Sequence, residues 1–468
     1  MSKFGKKKNE AVEPSGEVQP EKLKGIARTC QEIMDFDGFL ADETGNGIMV
    51  VKNGRIYSKM YRLIDSNFVT EPEDRQLEIL EKFEKLLNRF PENVDISFVI
   101  VNKRSTTMEM EKSFHMQENG DEYDKYRADY NIIIDKKIEE GRNDIKKEKY
   151  IILTIHVNQA DKSNKSKQAM PIEQVEKEVK SQFITSETAL TESVKTINGV
   201  GVLPIGTIER LRIMYEINHG TQKVPFDKIF SRYYQNSSDG EGNVVQLLNK
   251  DEMKKSGITV KDIVAPWSLI KTHGNLQLDE NRWCKSVTYA HLPQALDTVF
   301  LTNTTNLPYE MVTVIQLRSV PRKIAQRSVK MQNTSIKADV INAQKAAYKG
   351  GYSPDLINDD LQLAESEAKK LRDDVLNKGK KLFYMTSCVT LIGENEEELK
   401  SIIAQHESLC SEFSFTPSPL LGQQLQGLNM SMLTGNGKII VDYMMTSESS
   451  CSLFPFNVQE LQDARGHF

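Results

Sequence analysis

Residues 381–419 read KLFYMTSCVTLIGENEEELKSIIAQHESLCSEFSFTPSP. The first third is a dense run of β-formers, a strand signature. Glu396, Glu397 and Glu398 then fall in the first turn of a helical stretch, where negative charge complements the helix dipole. EFSFTPSP returns to an extended pattern. Upstream, MVTVIQLRS (311–319) is a second strand, and Pro321 opens a helix expected to run to about Tyr348. Its Ile336, Val340, Ala343 and Ala347 share one stripe. KGGYSP (349–354) is a turn. A second helix carries Leu361, Ala364, Ala368, Leu371 and Val375 in the same rhythm, and Gly379 is placed to end it. Matching heptad stripes joined by a tight turn predict an antiparallel helical hairpin over 321–379, each arm about 35–40 Å long at 1.5 Å per residue. The order is strand, helical hairpin, strand, helix, strand.

Working outward, the first half alternates in the same way. GNGIMVVKNGRIYSKMYRL has β-rich runs on both sides of Asn53-Gly54, a hairpin signal. TEPEDRQLEILEKFEKLLNRFP follows as a helix. Thr70 and Glu73 have capping-box spacing, Pro72 lies in the first turn, and Ile79, Phe83, Leu86 and Phe90 form the apolar stripe. VDISFVIV then places Val94, Ile96, Phe98 and Ile100 on one strand face. Residues 107–148 are highly charged and read as helical, YIILTIHV (150–157) is a buried strand, and another amphipathic helix starts near Pro171. YYQNSSDGEGN (233–243) has the composition of a flexible loop.

The fold expected is α+β: alternating strands and helices in two ferredoxin-like or α/β sandwich units, the second carrying the long hairpin. The divisions are a basic disordered tail (1–23), a first unit (24–215), an irregular linker or insertion (216–280), a second unit (281–450) and a junction (451–468). Similarity between the two halves is too weak to establish a duplication from sequence.

Composition narrows the function. The chain has 468 residues, 38% hydrophobic and 27% charged, with a net charge of −5, a globular balance that speaks against a surface coated for nucleic acid. No apolar run reaches the roughly 18–20 residues that span a bilayer, and the N-terminus lacks a signal-peptide apolar core. Cys30, Cys284, Cys388, Cys410 and Cys451 are scattered, an odd number without CxxC spacing, which points to a reducing compartment. Lys3, Lys6, Lys7 and Lys8 in the tail are candidates for contact with an anionic membrane surface, against the plainer reading of a solvated terminus.

Candidate chemistry fails on inspection. LTGNGKIIVD (433–442) has Gly437-Lys438, but Ile439 stands where a P-loop needs Ser or Thr, and Met432 where it needs its first Gly. A β-turn between strands is the better reading. GVGVLPIG (199–206) puts Pro204 at the third glycine of a dinucleotide fingerprint, so it reads as a loop before the helix TIERLRIMYEI. The seven histidines form no metal-ligand spacing, and His156 reads as a satisfied core residue. Asp359-Asp360 and Glu396–Glu398 are explained as helix starts. Trp267 and Trp283 read as core or interface residues.

Several stretches in order carry a family resemblance: SVPRKIAQRSVKMQNTSIKADVINAQKAA, the charged second helix, KKLFYMTSCVTLIGENEEELKSIIAQHESLCSEFSF, LLGQQLQGLNMSML and SLFPFNVQELQD. Together, over roughly 280–468, the chain resembles the large ATPases of type IV secretion and conjugation, the CagE/TrbE/TraE-type proteins, in particular versions on Gram-positive mobile elements. The first half resembles them more loosely, in element order and in TIERLRIMYEIN. The resemblance implies an N-terminal region preceding a RecA-like motor, with Phe454, Pro455 and Phe456 at the junction and Walker A beyond it. Walker A, Walker B and an arginine finger have no counterpart in this sequence, so no catalytic residue, cofactor site or metal site carries over. ATP and magnesium are expected only in the following domain. The implied role is a cytoplasmic scaffold, peripheral to the inner face of the membrane. It would dock the motor on inner-membrane secretion proteins, aid homo-oligomerisation and meet DNA only indirectly. LFPF is expected to be apolar surface awaiting cover by a following domain. A self-contained enzyme with a site assembled only in space is the competing expectation, and a DNA-binding adaptor a third.

Overall fold

The computed structural model describes residues 29–456 apart from 41–44, 46, 67, 106–114, 118, 141–144, 158–171, 222–224, 239–243, 273, 291, 294–295 and 351–358. The expected tail lies outside the described residues, as does the end of the expected junction.

The protein is α+β, as the alternation predicts. Its first strands are β1 (Gly38–Phe39), β2 (Met49–Val51), β3 (Ile56–Leu63), β4 (Val94–Arg104), β5 (Ile145–His156) and β6 (Val202–Pro204). The helix Glu73–Arg89 connects β3 to β4, and Ile172–Asn198 connects β5 to β6. The ladders are all antiparallel and run in the order β6, β3, β5, β4. That is the βαββαβ arrangement of a ferredoxin-like unit. The β2–β3 turn is where Asn53-Gly54 put it, with Lys52 and Asn53 at φ near +50° and Gly54 at +73°. Pro72 sits one step earlier than expected, as the N-cap of its helix, with no side-chain cap.

The second half repeats the order. After a separate two-stranded hairpin, β7 (Tyr234–Ser238) and β8 (Val244–Leu248), come β9 (Leu269–Lys271), β10 (Leu276–Leu278) and β11 (Arg282–Thr288). Then follow β12 (Met311–Ser319), β13 (Leu382–Gly393), β14 (Ser418–Pro419) and β15 (Tyr443–Thr446). Phe300–Thr304 is the short helix between β11 and β12, and Glu396–Glu412 lies between β13 and β14. The ladders run β14, β11, β13, β12, the same pattern as in the first unit. Each unit is also preceded by a meander on its outer side, β1–β2–β3 in one and β9–β10–β11 in the other.

The two units are not separate bodies. β4 pairs with β12 antiparallel from Asn102↔Met311 to Ile96↔Leu317, with Val99 opposite Val314 at the middle. The result is one sheet of 13 strands among the described residues. Its two central strands are buried on both faces. On one face lie Ile96, Phe98, Ile100, Ile151, Leu153, Ile315 and Leu317 under the helices Glu73–Arg89, Ile172–Asn198 and Glu396–Glu412. On the other lie Val99, Val101, Ile152, Val312 and Val314 under the helices Thr207–His219 and Gln424–Ser431. Residues 216–280, expected as irregular linker or insertion, carry short helices and strands and contribute Phe226, Phe230, Tyr233, Met253 and Ile263 to this second layer. The stretch 233–243, expected as a loop, supplies strand β7.

Both units insert helical chain between their second and third strands. The first inserts a segment containing Asp124–Glu140, and the second inserts the hairpin Arg322–Lys349 and Asp359–Leu376. Because β4 and β12 are antiparallel, these insertions leave from opposite ends of the sheet's centre.

Candidate functional site

Three features could carry function: a glycine-rich strap with a buried arginine, a cleft beside it, and the projecting hairpin.

The strap is the segment Leu433–Gly437. The β-turn expected between two strands is instead an irregular stretch that follows the helix Gln424–Ser431 and crosses the sheet. A polar row receives it. Ser58 Oγ on β3 donates to the Thr434 carbonyl at 2.7 Å, while Thr154 Oγ1 on β5 and Gln316 Nε2 on β12 both donate to the Gly435 carbonyl, at 3.1 and 2.8 Å. The approach is close enough to require glycine. A Cβ on Gly435 would lie 2.3 Å from Thr154 Oγ1, and one on Gly437 2.2 Å from Gln316 Oε1. The strap therefore presents carbonyls to the sheet, and Lys438 Nζ is held by Asp35 at 2.7 Å. Neither arrangement resembles a phosphate cradle, in which backbone N–H groups and a lysine converge on a ligand.

Arg210 clamps this assembly. It is fully buried in the helix Thr207–His219. Its Nη1 donates to the carbonyls of Gly47 and Ser58 at 3.1 and 2.9 Å; its Nη2 donates to Ser58 Oγ at 2.8 Å and the Leu433 carbonyl at 2.5 Å. Burial pushes its pKa down to about 9, so it still carries its charge at neutral pH. An ion in the interior is tolerated only when its donors are met, and here three carbonyls and the Ser58 hydroxyl meet the Nη1 and Nη2 donors while Nε has no partner. Sequence reading placed the helix but passed over Arg210. The signal was an arginine between Ile208 and Leu211 on an apolar face. A second network lies nearby, where Lys103 Nζ bridges Glu148 at 3.2 Å and Glu216 at 2.9 Å. Burial pushes Glu148 up, but Lys103, the Tyr150 hydroxyl, Lys146 and Arg62 outweigh it and hold the carboxyl down to about 2.

GVGVLPIG forms β6 and the loop into this helix, with Gly206 as its N-cap. The cleft beside it has a volume of about 630 Å³ and is bounded by Gly45, Lys59, Pro204, Glu209 and β8 residues Val244–Gln246. Its charged groups are already matched, Lys59 with Glu187 at 2.5 Å and Glu209 with Arg62 at 2.7 Å. Among the described residues no Cys, Ser or His lines it. Among the described residues no cluster of His, Cys, Asp or Glu could hold a metal ion.

The hairpin follows the expected seam. Val329, Asn333 and Val340 from the first helix and Ala368 and Val375 from the second are buried, with Ile336, Ala343, Ala347, Leu361, Ala364 and Leu371 half-buried beside them. Asn333 Nδ2 donates to the Ala368 carbonyl at 3.2 Å, a polar contact inside the apolar seam that fixes register. Among the described residues, the hairpin packs on the sheet at its root, where Val320, Ala325, Val329, Val375 and Leu382 form a small cluster. The first helix is about 42 Å long at 1.5 Å per residue.

The sequence-derived candidates do not converge. Phe454 and Phe456 are fully buried, which corrects the expectation that LFPF waits uncovered. Phe454 packs tilted against Phe68 and edge-to-face against Phe83, at ring distances of 4.7 and 5.3 Å, and the Ser66 N–H donates to the Phe456 carbonyl. The stretch thus closes the core of the first unit. Lys3, Lys6, Lys7 and Lys8 lie outside the described residues. His156 meets Asp95 at 2.6 Å, but at a strand end and with a 41% exposed side chain rather than in the core. Trp267 is also not a core residue: it is 64% exposed and lies over His219.

No known protein family matches the chain, and no curated protein matches it. No helix among the described residues is long and apolar enough to cross a membrane.

Proposed function

We propose that the chain is the non-catalytic N-terminal scaffold of a conjugative DNA-transfer ATPase of the type IV secretion kind. Such a scaffold docks a motor on inner-membrane proteins and helps its copies assemble at the cytoplasmic membrane face. The ordered resemblance over the second half motivates this reading. The observation that supports it best is the hairpin: an arm that pairs with itself leaves its outer faces available to a partner, as a scaffold requires. The charged groups of the cleft are neutralised by one another, which suits a structural role better than acid–base chemistry. Phe454, Pro455 and Phe456 would anchor the start of a motor domain on the first unit, and ATP and magnesium would belong to that domain.

The direct test is an ATPase assay on the purified chain. The expected result is no hydrolysis; turnover above a blank that is removed by mutation within 1–468 would end the proposal. A reading frame continuing past codon 468 into GxxxxGK[ST] would support it. The 630 Å³ cleft favours one competitor, a self-contained enzyme. Saturable binding of a small molecule there, weakened by Lys59→Ala, would favour that reading.

A further inference from the structure

The two helical insertions have complementary outer faces. On the first hairpin helix, the face away from the seam exposes Ile324, Met331, Ile341 and Tyr348, at 42, 63, 48 and 75%. Interleaved with them are Lys323, Arg327, Lys330, Lys337 and Lys345, and this helix carries a single acid, Asp339. Among the described residues none of those five cations lies within ion-pair distance of a carboxylate. On the helix Asp124–Glu140, Tyr126, Tyr130 and Ile133 continue a stripe begun by Tyr123, at i, i+3, i+7 and i+10 spacing. They are 69, 38, 55 and 57% exposed respectively. Glu122 and Asp129 flank the stripe and likewise have no ion-pair partner among the described residues. A long basic face with apolar ridges therefore exists on one insertion, and on the other a shorter aromatic face flanked by Glu122 and Asp129, with Lys125 further round the helix.

The two insertions start from opposite ends of the sheet's centre. One insertion leaves the sheet after Arg104 and the other after Ser319; in the β4–β12 ladder these points lie about ten residues apart, on the order of 33 Å at 3.3 Å per residue. We infer that the aromatic helix of one copy docks on the basic outer face of the hairpin of the next. A contact between two different surfaces of identical chains is heterologous, so it propagates into a ring or a filament rather than stopping at a two-fold dimer. A bare phosphate surface would use the lysines but offer nothing to Met331, Ile341 and Tyr348, whereas a tyrosine-ridged helix satisfies both. The helix pair is short, which places the contact among the smaller and weaker interfaces and makes it sensitive to salt. The inference takes up the oligomerising part of the function proposed above and does not depend on the presence of an ATPase.

Sedimentation velocity of the full chain over rising concentration, at low and high salt, tests it without nucleotide or membrane. Concentration-dependent species larger than a dimer are expected, weakening at high salt. Tyr126→Ser with Tyr130→Ser, or Met331→Ser with Ile341→Ser, should each weaken association at least about tenfold, with unchanged circular dichroism because all four side chains are exposed. Mixing the two double variants should restore dimers and nothing larger, since each retains one intact face. The inference is overturned if the wild type stays monomeric, if both double variants assemble like the wild type, or if their mixture forms no dimer. It is also overturned if the Met331/Ile341 variant assembles normally but no longer sediments with phosphatidylserine vesicles, which would give the arm to a lipid surface.

Discussion

The first unit's aromatic filling takes in the far end of the described chain, whereas the second draws its aromatic cluster from its own span. Phe83 of the helix Glu73–Arg89 meets Phe98 from the sheet and also Phe454 and Phe456. In the second unit, Tyr289, Phe300, Phe413 and Phe415 form the aromatic cluster, all from within its own span. The two units share a strand order yet obtain their apolar filling differently. A shared topology therefore does not make the halves independent: the β4–β12 ladder and the returning phenylalanines bind them together.

Replacing both Phe454 and Phe456 with Ala has the largest expected effect, about 3–5 kcal/mol for each ring. Urea unfolding should still show one transition, at a lower midpoint. Two transitions, with only the first-unit amides losing hydrogen-exchange protection early, would show that the halves unfold separately. Val314→Pro strikes the seam itself, removing a ladder hydrogen bond in a central strand at a cost of about 3 kcal/mol or more. Protection should fall in both β4 and β12. Loss confined to the second unit would mean that the central ladder contributes little.

Arg210→Ala leaves the carbonyls of Gly47, Ser58 and Leu433 without their buried donor, so a loss of about 2–4 kcal/mol is expected, with Arg210→Lys recovering part of it. A change below 0.5 kcal/mol, on the order of a surface substitution, would remove Arg210 from its role as clamp.

Acid should separate the units more finely. In the second, burial holds His406 down to about 4, beside the Tyr289 hydroxyl at 3.1 Å. Its folded pKa lies below the unfolded value near 6.5, so its contribution is full above about 6.5 and is lost as pH falls toward 4, about 3 kcal/mol in all. In the first, Glu148 sits at about 2, below its unfolded value near 4.3, and its contribution disappears only between about 4 and 2. A stability profile from pH 7 to 3 should therefore fall first in the histidine window. His406→Gln should flatten that part alone; an unchanged profile would show that the ring does not govern it. The smallest effect concerns the hairpin: Asn333→Leu should alter global stability by less than about 1 kcal/mol while loosening seam register. A drop of several kcal/mol would make the arm part of the main core.

Much of the local structure was legible in the residues. The stripe Val94, Ile96, Phe98 and Ile100 faces a single core cluster, and Ile336, Val340, Ala343 and Ala347 line the hairpin seam. Both follow from side-chain period alone. The polar site was not legible. Apart from the Ser58 hydroxyl, the partners of Arg210 are backbone carbonyls at Gly47, Ser58 and Leu433, and carbonyls leave no mark in residue identity. Gly435 and Gly437 read as a turn because their reason, the approach of Thr154 and Gln316, lies more than a hundred residues away.

The sequence by itself determined the alternation of strands and helices, the hairpin and its seam, and the absence of a P-loop, because periodicity and motif spacing are local properties. Only the tertiary structure decided that β4 lies beside β12, that the LFPF segment is covered, and that the two insertions leave from opposite ends of the sheet's centre. Those outcomes depend on which apolar surfaces meet. Strands buried on both faces are interchangeable in pattern, so only the packing of the whole chain selects their neighbours.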